Sequence, residues 1–150
     1  TFIERADNTL RLLDSRYELM GEDVDEIDGR PAHSYYQWSA LLRALSSFEA
    51  FAEVYRGSPG ARKVSELLLL RREVPRSLSA CMDELYQMLA GLPGDNGRPA
   101  QRLAAELNAR LRYTSIDEVL EEGLHAWLTE FIEQIHDLGS AIHTSYLEVA

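Results

Sequence analysis

Residues 2–20 read FIERADNTLRLLDSRYELM, and the placement of this string decides the fold. Ile3, Ala6, Leu10, Leu13, Tyr17 and Met20 recur at alternating steps of three and four, which lays one apolar stripe along a helix. Glu4, Asn8, Arg11 and Ser15 follow the same steps one residue further round. A polar row, charged at Glu4 and Arg11, is therefore expected along the edge of the buried seam. Phe2-Ile3-Glu4 already reads as helix interior, so the first helix is expected to begin upstream of Thr1 and the chain to be a piece of a longer one.

Working outward, the remaining apolar periodicities predict further helices. A second spans about 35–56, with Trp38, Leu41, Leu45, Phe48, Ala52 and Tyr55 inward and Tyr35, Leu42 and Phe51 widening the stripe. Gly57-Ser58-Pro59-Gly60 stops it. A shorter helix covers about 61–71. The next starts at Pro75, because proline suits the first helical position, and runs to about 90 with Leu78, Cys81, Met82, Leu85, Met88 and Leu89 inward. Residues 92–97 are a turn cluster. A fifth helix covers about 98–112. A long last helix runs over about 116–147, capped by Thr114 or Ser115, with Gly123 and Gly139 marking a bend or a close helix approach. Residues 21–34 read as an acidic loop whose spacing does not fit a calcium-binding EF-hand. No stretch alternates with period two for long enough to make a strand. The fold class is all-α: an antiparallel bundle of five to six helices with a long C-terminal helix.

Composition narrows the function. A chain of 150 residues suits one domain, residues 1–150, able to bury a core without metal or disulfide. The single cysteine, Cys81, forbids an internal disulfide and fits a reducing compartment, the cytoplasm. A net charge of −10 argues against nucleic acid and against an anionic membrane surface. No apolar run approaches the roughly 20 residues of a spanning helix.

The candidate chemistry is a polar cluster of Glu4, Arg5, Asn8 and Arg11, with Glu49 and Arg76 from later helices. It either binds a small polar group or a partner's carboxylate, or it fixes helix register as a structural network. Two Glu-x-x-His pairs, Glu122/His125 and Glu133/His136, have the spacing used in di-iron bundles. Both lie on one helix about 16 Å apart, so they cannot share one cluster. No metal and no cofactor is expected on this reading. Arg71, Arg72 and Arg76 either bind an anion near a helix start or form a solvated, ion-paired patch. Cys81 reads as a buried structural thiol. No phosphate loop, nucleophile elbow or zinc spacing is present.

Taken in order, these residues carry a resemblance. Glu4-Arg5-Ala6-Asp7-Asn8 followed by Arg11 and Leu12-Leu13-Asp14 resembles the signature of the bacterial alpha-E domain family, named for a Glu-Arg motif. Gln37-Trp38 with Leu41-Leu42-Arg43-Ala44-Leu45 is similar to its second helix. Leu67–Leu70 followed by Pro75-Arg76-Ser77-Leu78, then Leu111-Arg112-Tyr113 and Gly123-Leu124-His125, are similar to its later motifs. The acidic 22–28 loop and the Glu148-Val149-Ala150 end depart from the pattern.

The resemblance implies a tandem duplication of which this chain is the C-terminal copy, partnered by an N-terminal copy. It further implies work beside a circularly permuted ATP-grasp ligase and a transglutaminase-like protein in bacterial peptide synthesis or modification. The first expectation is thus an accessory, non-catalytic domain. The alternatives are an enzyme using Glu4 as acid or base with Arg5 or Arg11 holding an anion, and a metal-binding bundle.

Overall fold

The computed structural model describes residues 2–20, 26–27, 30–31, 33–94 and 96–147. Helix α1 (Phe2–Met20) is followed by two short strands, β1 (Glu26–Ile27) and β2 (Arg30–Pro31). Then come α2 (His33–Ala44), α3 (Phe48–Val54), α4 (Ala61–Leu70), α5 (Leu78–Ala90), α6 (Arg98–Tyr113), α7 (Ile116–Glu122) and α8 (Leu124–Ile142), closed by a π turn over His143–Leu147. The class is all-α, as the periodicities predict, with a long helix near the C-terminus.

Helix α1 lies at the centre and packs against α8, α5, α2 and α4. Its stripe is the expected one: Ala6, Leu10 and Leu13 are fully buried, and Ile3 and Tyr17 pack partly buried against the core. The Met20 side chain lies outside the described residues, as do the helix stop at Gly21 and the end at 148–150. Two of the helix contacts are antiparallel, α1 with α8 and α5 with α6. Along α1 and α8, Ile3 meets Gly139, Asp7 meets His136 and Asp14 meets His125, so one numbering rises as the other falls. Along α5 and α6, Gln101 donates to the Leu89 carbonyl at 2.8 Å and Asn108 donates to Asp83 at 3.3 Å. The core is one contiguous cluster in which Trp38, Trp127 and Phe131 are the largest fully buried side chains.

Four expectations are corrected. The helix expected over 35–56 is two helices. Ser46 has φ 53, Ser46 N–H bonds Arg43 O and Ser47 N–H bonds Leu42 O, which is a Schellman stop built on serine rather than glycine. The stop resets the helical phase, so Phe51 is buried and Ala52 is exposed. The helix after residue 71 starts at Leu78 instead of Pro75, because the Ser77 hydroxyl accepts from Ala80 N–H and acts as the cap. Within α5, Leu89 takes the inward position and Met88 is exposed. The long last helix divides at Gly123, whose φ is 104, and this is the bend its glycine suggested. Ser115 is its cap, accepting from Glu118 N–H.

The acidic loop also holds a ribbon in which Glu26 pairs with Pro31 and Ile27 with Arg30, antiparallel. The calcium-loop spacing falls largely outside the described residues.

The charged seam between the first and last long helices

The antiparallel α1–α8 contact carries the densest ionic chemistry among the described residues. At one end the Asp7 carboxylate accepts from Arg11 Nε at 2.9 Å and stands 3.3 Å from His136 Nε2. Arg11 also reaches within 3.5 Å of the His136 ring. At the other end His125 Nδ1 stands 2.7 Å from Asp14 and 3.1 Å from Glu18. Asp7, Arg11, Asp14 and Glu18 recur at steps of four, three and four, so they form one row on α1 facing α8. Between the two ends lies an open groove of about 480 Å³, lined by Arg11, Asp14, Ser15, Glu18, Thr129, Ile132, Glu133 and His136.

The local electrostatics follow from this row. The Asp14 carboxylate, bonded to His125, raises the imidazole's proton affinity, with Glu18 adding to it. His125 therefore holds its positive charge to higher pH than a free histidine. Asp14 is the most sheltered member of the seam, with a side chain 19% exposed, while His125 is 56% exposed. Behind the seam, α8 is fixed by Trp127 and Phe131, stacked at 5.1 Å, and by Arg110, which lies over both rings and donates to Gln134 at 2.9 Å.

The residues singled out from sequence are dispersed. Glu4 and Asn8 are exposed and make no hydrogen bond or ion pair recorded among the described residues. Arg5 is half-buried, with its guanidinium 5.6 Å from the Phe2 ring. Arg11 enters the seam. Glu49 is exposed on α3. Arg76 is exposed, and its backbone carbonyl accepts from Thr9 at 3.3 Å. Arg5 and Arg76 both lie close enough to Cys81 to favour its thiolate, but burial outweighs them and pushes the thiol's pKa up.

Arg71 and Arg72 belong to ion pairs. Arg71 reaches Glu73 at 3.3 Å, and Arg72 reaches Asp83 at 3.2 Å and donates to Asn108. The histidines of the two Glu-x-x-His pairs reach across to acids of α1. Sequence reasoning missed Asp7, Asp14 and Glu18 because steps of three and four also lead from Glu4 through Asn8 to Arg11. A second groove, of about 980 Å³ along α5 and α6, is larger. Two of its charged lining residues, Arg102 and Glu106, pair with each other at 3.1 Å.

Residues 1–147 match the model of the Alpha-E family, described as a predicted alpha-helical domain with a conserved ER motif. Glu4-Arg5 is the only Glu-Arg step in the sequence. An uncharacterized protein of Mycobacterium bovis is 40% identical over 102 residues, which cover 65% of this chain and 11% of the relative. Uncharacterized proteins of two Mycobacterium tuberculosis strains match with the same identity and coverage. The matched stretch is thus about a tenth of the length of these relatives. No solved structure matches.

Proposed function

The chain belongs to the Alpha-E family, and from that premise we propose that it is a non-catalytic accessory or scaffold domain. Its partners are a circularly permuted ATP-grasp ligase and a transglutaminase-like protein in bacterial peptide synthesis or modification. A second Alpha-E copy packs beside it in the longer polypeptide, and the assembly works in the cytoplasm. The observation that supports this reading is the α1–α8 groove. It is open to solvent, carries both charge signs at fixed positions and has an apolar wall at Ile132, which suits a peptide segment or a partner loop. The length of the relatives leaves room for the further copy. No helix among the described residues is long and apolar enough to cross a membrane. Acid–base chemistry at Glu4 lacks a comparable support, because Glu4 projects from α1 without a recorded partner.

The test is co-purification of the chain with the ATP-grasp protein, followed by titration of the two in solution with chelator present. Association at micromolar concentration, weakened by Arg11→Glu with helicity intact, supports the reading. No association at that concentration removes it. Replacing Glu4 by Gln keeps shape and removes charge. Loss of pathway activity in a well-folded E4Q protein would move the functional weight from the groove to the Glu-Arg motif.

A further inference from the structure

Three ligand-type atoms converge at the Asp14 end of the seam. One oxygen of Asp14, one of Glu18 and one ring nitrogen of His125 all lie within 4.8 Å of one another. We propose that Asp14, Glu18 and His125 bind one divalent transition cation of the zinc class, clamping α1 to α8 beside the groove.

The backbone arranges this donor set. Asp14 and Glu18 are four residues apart on α1, so their carboxylates leave the helix on one face, a turn apart. His125 stands in the first turn of α8, and the antiparallel packing delivers it opposite that pair. One imidazole nitrogen with two carboxylate oxygens is the donor mixture that borderline divalent cations accept. Three protein ligands leave a fourth position for water, and Asp14 and Glu18 also line the groove, so that position opens towards it. Calcium is a poorer match, because it takes about six to eight oxygens and no nitrogen here improves the site for it.

Distance and charge agree. Bonds of about 2.0–2.2 Å in a tetrahedron set ligand atoms about 3.3 Å apart. The observed 2.7 and 3.1 Å separations from His125 need to widen by about 0.6 and about 0.2 Å. The Glu18 and His125 side chains are more than half exposed and have space to do so. Once His125 has released its proton to the solvent, two carboxylates and a neutral imidazole carry a charge of −2, which a divalent cation cancels. The His136 end has no such fit. There the ring faces the Arg11 guanidinium at 3.5 Å, and a fixed cation repels a second one.

This inference rests on the Asp14, Glu18 and His125 geometry alone and does not depend on the accessory reading. The test is calorimetric titration of the chelator-stripped, purified protein with zinc chloride, with calcium chloride as a second arm and no partner protein present. The expected result is one saturable zinc site per chain and a rise in Tm with zinc. Because second-shell changes alone weaken metal affinity about 10–100-fold, loss of a ligand in Asp14→Asn, Glu18→Gln or His125→Gln should weaken it at least about tenfold. His143→Gln, which removes an imidazole on the final turn, should leave the affinity unchanged. Circular dichroism establishes that each variant is folded. Absence of saturable zinc binding at about 100 µM, equal affinity in all three ligand variants, or tighter binding of calcium than zinc would each overturn the proposal.

Discussion

Asp14 and His125 meet at 2.7 Å although 111 residues of chain separate them. The contact ties the C-terminal half of α1 to the start of α8 and fixes the register of those two helices. In metal-free buffer, Asp14→Asn and His125→Gln should each lower Tm slightly. The double variant should lose no more than the larger single effect, because His125→Gln already removes the contact that Asp14→Asn removes, together with the one to Glu18. The effect should shrink in high salt, since the histidine side of the pair faces water. Thermal melts of the three variants at low and high salt check this.

Gly123 and Gly139 should respond to alanine with opposite signs. Gly123 has φ 104 and joins α7 to α8, a conformation that a side chain strains. Gly123→Ala should cost about 1–3 kcal/mol. Gly139 lies inside α8, and a methyl there would meet only Ile3 Cγ2, at an ordinary 3.9 Å. Gly139→Ala should stabilise by about 0.5–1 kcal/mol through the helix interior. Urea unfolding of the two variants separates the cases.

Ser79 is a buried cap for the preceding helix. Its hydroxyl donates at 2.7 Å to the carbonyl of Leu69, in the last turn of α4, where the backbone has no partner further along the helix. Ser79→Ala strands that carbonyl in the core and should cost about 1–3 kcal/mol. An effect within error of zero in urea titration would show that the carbonyl finds another donor.

Tyr55 supplies a pH dependence far from the seam. Burial, then the 2.5 Å hydrogen bond it donates to Glu66, push its pKa up to about 12, against a smaller opposing effect of Arg71. The folded state therefore holds this proton more tightly than the unfolded chain does. The associated stability is fully present below the unfolded pKa of about 10 and is lost as pH rises from there through about 12. One phenol should remain un-ionised near pH 11 in an absorbance titration. Tyr55→Phe should flatten the alkaline fall in stability.

The helical class was legible because apolar steps of three and four are imposed by 3.6 residues per turn, whatever the partners. Ala6, Leu10 and Leu13 are buried as read, and the bend at Gly123 was visible in its residue type. The stop at Ser46 left no signal, since serine rarely takes a left-handed backbone, and here the bonds from Ser46 and Ser47 N–H to the Arg43 and Leu42 carbonyls close it between the buried Leu45 and Phe51. The start of α5 was misplaced because proline and serine both favour helix beginnings, and the serine hydroxyl, seated on Ala80 N–H, prevails.

By itself the sequence determined which faces of the helices are apolar, where most helices lie, and the net charge of −10. Those properties are local or summed, and each residue contributes to them without reference to a distant one. Tertiary structure alone decided which acids of α1 meet α8. From Glu4, helical steps lead equally to Asn8 and to Asp7, and the two rows part by only one residue around the axis. The packing of α1 against α8 selects Asp7, Arg11, Asp14 and Glu18, because that row, and not the other, faces His136 and His125 across the contact.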